Sequence, residues 1–289
     1  MSGCLTRRSF LATSAAAAAG LTWAPTSRAR AGQFTGKIKK ALKYEMIVVD
    51  SSVEDKLKMI KDLGFEGVEP RTSFGERRLD VRPVEFARAA EKADLAVHGV
   101  INSNNTDLQT AIDEAKFYGA SSVLTTIPGM PREGSYLENY RRTQQLLRDA
   151  APYAEKHEVS ILIENVWNSF LIEPMTMARF IDEIGSPFVQ VYFDVGNVVR
   201  WGWPEHWIEV LGKRIVKLDI KEYDLDVAMK QGMRQGFSSL LGQGSVKWDK
   251  VRGELATLNF TGWATAEVAG GDRARLADVA ARMNRVLDL

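Results

Sequence analysis

From Ala41 onward, short apolar runs alternate with longer stretches in which apolar residues return every three or four positions. The short runs predict strands over 42–49, 65–69, 95–101, 121–126, 159–164, 189–194, 214–220 and 261–267. The longer ones predict helices near 53–63, 83–93, 106–118, 136–157, 174–184, 204–212, 247–257 and 272–288. Pro83, Pro174 and Pro204 stand where helices begin, and Gly64, Gly119 and Gly185 where they stop. Strand–helix units without hairpin signals imply an all-parallel sheet with crossover helices. Eight such units in about 250 residues imply an α/β fold closed into a (β/α)8 TIM barrel.

Alternation within the strands separates two faces. Val159, Ile161 and Ile163 oppose Ser160, Leu162 and Glu164, while Val189, Val191 and Phe193 oppose Gln190, Tyr192 and Asp194. Val216, Leu218 and Ile220 oppose Lys217, Asp219 and Lys221, and Ala264, Ala266 and Val268 oppose Thr265 and Glu267. Four consecutive strands therefore aim a carboxylate inward near their C-terminal ends, the face where barrel enzymes build their sites.

Thr6-Arg7-Arg8-Ser9-Phe10-Leu11, the apolar run from Leu11 to Trp23, and Ala29-Arg30-Ala31 follow the order of a cleavable twin-arginine (Tat) export signal over residues 1–31. The apolar run is shorter than the roughly 20 residues a membrane span needs, so no stable anchor is expected. This leaves one barrel domain over 32–289, periplasmic or secreted. The leader's four arginines carry no matching acid, so the formal charge falls from +1 to −3 on its removal. With no basic patch, nucleic acid is not an expected partner. Cys4, the only cysteine, lies in the leader, which excludes disulfides and thiolate chemistry from the mature domain.

Carboxylates meeting at one barrel mouth repel one another, and a divalent cation is the simplest remedy. Oxygen donors favour Mn²⁺ or Mg²⁺, with Co²⁺ or Zn²⁺ as alternatives. The competing expectation is a structural network in which Lys217, Lys221, Arg71 or Arg200 neutralises the acids.

Six segments occur in order: Gly64-Phe65-Glu66-Gly67-Val68-Glu69, Ile163-Glu164-Asn165, Phe193-Asp194-Val195-Gly196-Asn197, Ile220-Lys221-Glu222, Gly242 to Trp248, and Gly262 to Glu267. Together they resemble the xylose isomerase-like TIM barrels, the sugar phosphate isomerase/epimerase superfamily. In its ketose 3-epimerase branch one metal is held by Glu, Asp, His and Glu. The resemblance implies that Glu164, Asp194 and Glu267 are ligands and puts Asp219 at the histidine's position. It also implies Glu164 and Glu267 as the acid/base pair, with Lys221 stabilising an oxyanion. Other family positions depart: Phe170 replaces an acid, Asn197 a substrate-binding His, and Leu225 an Arg. The three-zinc DNA-repair branch needs more histidines than His98, His157 and His206.

The implied activity is isomerisation or epimerisation of a keto-sugar through an enediolate. Two alternatives stay open: a 3-keto-glycoside lyase or hydrolase on the same scaffold, and a non-catalytic carbohydrate-binding barrel. The partner expected is a small carbohydrate, and a homo-oligomer is left open. Glu69, His98, Asn197, Trp167 and Trp201 are the candidate substrate contacts: the resemblance implies Glu69 and Asn197, and His98, Trp167 and Trp201 fall at or near strand ends. For His98 a packed, hydrogen-bonded core histidine is the competing expectation.

Overall fold

The structure, a computed structural model, describes residues 31–289. The export-signal reading falls on the chain before this range. Strands β1 (Ile38–Lys43), β2 (Gly67–Glu69), β3 (Ala96–Val97), β4 (Val100–Ser103), β5 (Ser122–Thr125), β6 (Ser160–Glu164), β7 (Val189–Asp194), β8 (Ile215–Ile220) and β9 (Gly262–Ala266) are all parallel. Their order is β3-β2-β1-β9-β8-β7-β6-β5-β4. The two ends of that order, β3 and β4, are consecutive pieces of one strand interrupted at His98-Gly99. β3 pairs with β2 and β4 with β5, so this broken strand closes the ring into a TIM barrel.

The break has a local cause. A Cβ at Gly99 would lie 2.5 Å from Glu69 Oε1 and 3.0 Å from Ser122 Oγ. Polar side chains from neighbouring strands fill the space that a residue here would claim, and the ladder is interrupted to admit them.

Helices α1 (Val53–Asp62), α2 (Pro83–Lys92), α3 (Leu108–Phe117), α4 (Tyr136–His157), α5 (Pro174–Ile184) and α6 (Pro204–Leu211) alternate with the strands. After β8 come α7 (Leu225–Gln231), α8 (Trp248–Thr257) and, after β9, α9 (Arg273–Leu287). Proline occupies the first helical turn of α2, α5 and α6, where its missing N–H costs nothing. Gly185 ends α5 at φ +80°, a left-handed conformation that glycine adopts without strain. Among the described residues no helix is long and apolar enough to cross a membrane.

Three expectations are corrected. The first strand spans Ile38–Lys43, not 42–49, and Tyr44–Met46 is a 3-10 turn. Its lysines hide it: Lys40 faces the helical shell and donates to Asn284 Oδ1 on α9 at 2.7 Å, while Lys43 points into the barrel. The loop between β8 and α8 contains α7, unexpected because it is only seven residues long. Val216 joins the small cluster of Ile101, Leu124, Leu162 and Tyr192 instead of the outer core, because the β7–β8 register shifts between Val191 and Tyr192. Elsewhere the outward sets hold: Val159, Ile161, Ile163, Val189, Val191, Phe193, Leu218, Ile220, Ala264 and Ala266 all pack in the main core under the helices.

Candidate active site

At the C-terminal mouth, Glu164 ends β6, Asp194 ends β7, Asp219 lies in β8 and Glu267 follows β9. Parallel pairing fixes their heights, since Glu164 is level with Tyr192 and Asp194 with Asp219, which in turn is level with Thr265. One carboxylate oxygen from each of the four lies within 4.8 Å of the others. Asp194 and Asp219 are fully buried.

Two lysines hold this cluster. Lys221 Nζ lies 2.7 Å from Asp194 Oδ2 and 3.1 Å from Glu267 Oε2. Lys43 Nζ, from the end of β1, lies 2.9 Å from Asp219 Oδ2 and 2.7 Å from Glu267 Oε2. Lys43 is not legible as a site residue in the sequence, because a strand over 42–49 puts it near the strand's start, whereas it ends β1 at the mouth. Its signal was present nonetheless: Ile38, Lys40 and Leu42 form one face, leaving Lys39, Ala41 and Lys43 for the other.

The two lysines do not neutralise four acids. Burial, reinforced by the Glu267 charge, pushes Glu164 up to about 8. Burial likewise raises Asp219 well above the ordinary range, against the pull of Lys43, and raises Asp194 against the pull of Lys221. Glu267 goes the other way: burial opposes its charge, but Lys221 and Lys43 together outweigh it and hold the carboxyl well below its usual range. Asp219 Oδ1 is buried with no hydrogen-bond partner among the described residues.

The motif residues around the cluster orient it. Asn165 accepts from the Asp194 N–H at 2.8 Å and donates to the Asp194 carbonyl at 2.8 Å, locking the end of β7. The Asn197 N–H donates to Asp194 Oδ1 at 2.8 Å, and its side chain donates to the Asn165 carbonyl at 3.0 Å. Gly196 is required because a Cβ there would lie 2.9 Å from Lys221 Cβ and Cγ. Glu222 accepts from the N–H groups of Gly242 at 2.8 Å and Val246 at 3.2 Å and from Trp248 Nε1 at 3.0 Å, anchoring the Gly242–Trp248 loop. A Cβ at Gly244 would come within 2.6 Å of that carboxylate.

Above the cluster opens a pocket of about 680 Å³ lined by Lys43, Glu164, Trp167, Asn197, Lys221 and Glu267, among others. Trp167 and Asn197, two of the candidate substrate contacts, are thus on its wall. Glu69 and His98 are not. Both are buried below the pocket in a network where Tyr192 OH donates to Glu69 Oε2 at 3.1 Å and is 2.7 Å from Thr265 Oγ1. His98 Nε2 is 3.2 Å from that same Thr265 hydroxyl, and the ring stacks on Trp263 at 4.6 Å. Burial, with Lys217 and Lys43 nearby, keeps the His98 imidazole neutral. Lys217 donates to Ser122 Oγ and to the His98 carbonyl, each at 2.6 Å, instead of pairing with Asp219. Glu69 Oε1 lies against Gly99, 2.5 Å from where a Cβ there would stand. Trp201 is 45% exposed beside the pocket, with the Arg200 guanidinium 4.2 Å from its ring centroid.

The closed parallel barrel agrees with the family model that matches residues 57–286, the xylose isomerase-like TIM barrel; the chain belongs to that family. Among solved structures it is similar to a 3-keto-D-glucoside 4-epimerase from E. coli in apo form, with 13% identity, a TM-score of 0.68, and coverage of 86% of this chain and 99% of the other. It is similar to a D-allulose 3-epimerase from Methylomonas sp. in complex with D-allulose, at 16% identity and a TM-score of 0.69 over 86% and 96% of the two chains. A third, the IOLI protein with a binding zinc atom, gives 14% identity and a TM-score of 0.72 over 86% and 98%. At these identities the likeness is one of fold. No curated protein matches the chain.

Proposed function

We propose that this chain is a divalent-metal-dependent isomerase or epimerase acting on a keto-sugar, exported under the direction of its twin-arginine leader. The observation that carries this reading is the convergence of Glu164, Asp194, Asp219 and Glu267 within 4.8 Å around only two ammonium groups. The donor set fits a hard divalent cation: four carboxylates, one with a buried oxygen lacking any partner, and three pushed toward protonation by burial. Asp219 stands among these donors, and with no nitrogen donor Mn²⁺ or Mg²⁺ suits the set better than Zn²⁺. When bound, the ion polarises a carbonyl and spreads the negative charge that develops on its oxygen.

The protein's own residues supply the proton traffic. Glu164 and Glu267 have environments that push their proton affinities apart, the pattern that assigns a general acid and a general base. Glu267 is ionised and accepts the proton from the carbon beside the carbonyl, leaving an enediolate. Two ammonium contacts make it a weak base in the resting state. Lys43 and Lys221 both line the pocket, so as negative charge moves to the substrate oxygen they can turn toward it, and Glu267 becomes more basic as they leave. Glu164, whose proton affinity burial raises in the metal-free protein, is the partner that takes a proton from solvent and returns it to the other face or the neighbouring carbon.

A second reading is favoured by size. The pocket of about 680 Å³ has room for more than one sugar ring. With a 3-keto-glycoside, the same proton abstraction would be followed by expulsion of the aglycone, making the enzyme a lyase. The structural neighbour described as a 3-keto-D-glucoside 4-epimerase supports a keto-glycoside as the substrate type. Elemental analysis of the purified protein, followed by deuterium uptake from D₂O into keto-sugars and 3-keto-glycosides, tests both readings. One Mn²⁺ or Mg²⁺ per chain and label beside the carbonyl are expected, with release of the aglycone marking the lyase. A metal-free protein that binds sugar without exchange would instead be a carbohydrate-binding barrel.

A further inference from the structure

Beneath the four-carboxylate cluster the barrel interior carries a chain of polar groups whose direction follows from their donor counts. The Lys217 ammonium has three protons and no lone pair. It meets three acceptors: the His98 carbonyl and Ser122 Oγ, each at 2.6 Å, and His98 Nδ1 at 3.1 Å. Nδ1 therefore accepts, which places the imidazole proton on Nε2, 3.2 Å from Thr265 Oγ1. Tyr192 gives its single proton to Glu69 Oε2 at 3.1 Å, so the Thr265 hydroxyl donates to the Tyr192 oxygen across 2.7 Å. Every proton in the chain points toward Glu69, whose carboxyl group ends it as an acceptor. Glu69 Oε1 is buried without a partner among the described residues, and Lys217 has no donor left to offer it.

The strands carry four acids; Glu164, Asp194 and Asp219 belong to the cluster, and Glu69 is the fourth. In the parallel ladder of β1 and β2, Lys43 stands level with Glu69, on strands roughly 4.8 Å apart. Lys43 leans the other way, across β9 on the far side of β1, to Glu267 Oε2 and Asp219 Oδ2. We propose that Glu69 is a positioning residue for metal loading, receiving the Lys43 ammonium when a divalent cation takes that ammonium's place on Asp219 and Glu267. This rests on the reading of the four carboxylates as a metal centre. An ammonium and a dication held by the same carboxylates repel each other. Lys221, its side chain 15% exposed, can turn into the pocket. Lys43, at 4%, needs another anion at hand before a substrate arrives. Glu69 meets that need with an oxygen that no other donor claims. Burial raises its proton affinity against the pull of Lys217 and Lys43, and an arriving ammonium would offset that burial further. After the exchange every positive charge in the interior still faces a carboxylate, and Glu267 keeps Lys221 as its ammonium contact.

The test is a cycle of Mn²⁺ affinities, measured by calorimetry on chelator-stripped wild type, E69Q, K43M and K43M/E69Q, with each fold checked by circular dichroism. E69Q is expected to bind Mn²⁺ about tenfold or more weaker than wild type, because Lys43 then has no carboxylate to move to. K43M should bind at least as tightly as wild type. Adding E69Q to K43M should weaken binding by less than about threefold, the effect of removing one more distant negative charge. A loss of the same size with and without Lys43 would make Glu69 a structural or long-range contributor and overturns the proposal, as does an unchanged affinity in E69Q. A crystal structure of the Mn²⁺-loaded wild type reads the same event without any variant. Lys43 Nζ is expected within about 3.2 Å of a Glu69 oxygen, and Lys43 still on Asp219 and Glu267 beside the bound ion overturns the proposal. Mn²⁺ uptake with Lys43 unmoved leaves the proposed metal centre standing and removes only the role of Glu69. A wild type that takes up neither Mn²⁺ nor Mg²⁺ removes both.

Discussion

At the scale of single residues, the site is a contest over protons among acids that share two lysines. Glu164 and Glu267 differ in outcome because Glu267 has both ammonium groups in contact and Glu164 has neither. Replacing either carboxylate with its amide keeps the shape and removes the proton exchange. E164Q and E267Q are each expected to lower deuterium uptake beside the substrate carbonyl by at least about a hundredfold, with the fold retained by circular dichroism. Wild-type uptake in either variant would remove that residue from the acid/base pair. Lys43 makes a separate claim. In K43M, Asp219 and Glu267 lose a buried partner, a change that costs about 3–5 kcal/mol when nothing replaces it. A bound divalent cation does replace it, so the melting temperature of metal-free K43M should fall far more than that of the Mn²⁺-loaded variant. Equal falls in both states would show that Lys43 and the metal answer to different charges.

At the scale of elements, the loop after β8 depends on one carboxylate. Glu222 is buried and takes hydrogen bonds from both Gly242 and Trp248 through the same oxygen, with the Val246 N–H on the other. An amide in its place must turn an N–H₂ toward one of these donor sets. E222Q is therefore expected to lose about 3 kcal/mol of stability, a fall of roughly 6–12 °C in melting temperature by scanning calorimetry. A change under about 2 °C would mean that the glycine-rich loop holds itself. Elements also mark what could be read in advance. β6, β7 and β9 alternate cleanly, so their inward carboxylates were legible from spacing alone. β1 was not, because a strand whose lysines serve the helical shell on one face and the active site on the other lacks an apolar signature. The break at His98-Gly99 left no trace either: seven contiguous residues read as one strand, and only the crowding of Glu69, Ser122 and Lys217 around Gly99 divides it. Glu69 and His98 belong to that same buried network, so their positions at strand ends did not tell a pocket contact from a hydrogen-bonded core group.

At the scale of the whole molecule, the barrel interior holds Glu69, Glu164, Asp194, Asp219 and the partly exposed Glu267 against Lys43, Lys217 and Lys221. One divalent cation would balance the two acids in excess, and without it the interior can approach neutrality only by binding protons. The linkage follows from Glu164, whose folded value of about 8 lies above its ordinary 4.5. Between these values the unfolded chain has released this proton and the folded chain still holds it, so folded protein is favoured at the acid end and stability declines as pH rises toward 8. Asp194, Asp219 and Glu69, all raised by burial, act in the same direction. Two groups act oppositely: Glu267 below its ordinary value, outside this window, and His98, held neutral in the fold, below its ordinary 6.5, where one imidazole is outnumbered by the four raised acids. The metal-free protein should therefore melt at progressively lower temperature from pH 5 to pH 8. Mn²⁺ at about a hundredfold excess over its Kd should add about 2.7 kcal/mol, a rise of roughly 5–10 °C. The rise should come with proton release measurable by calorimetry in buffers of different ionisation enthalpy, because ligation requires the carboxylates ionised. A metal-free melting temperature that climbs across the same pH range would mean the buried acids are already ionised and paired, and the need for a cation would go with it.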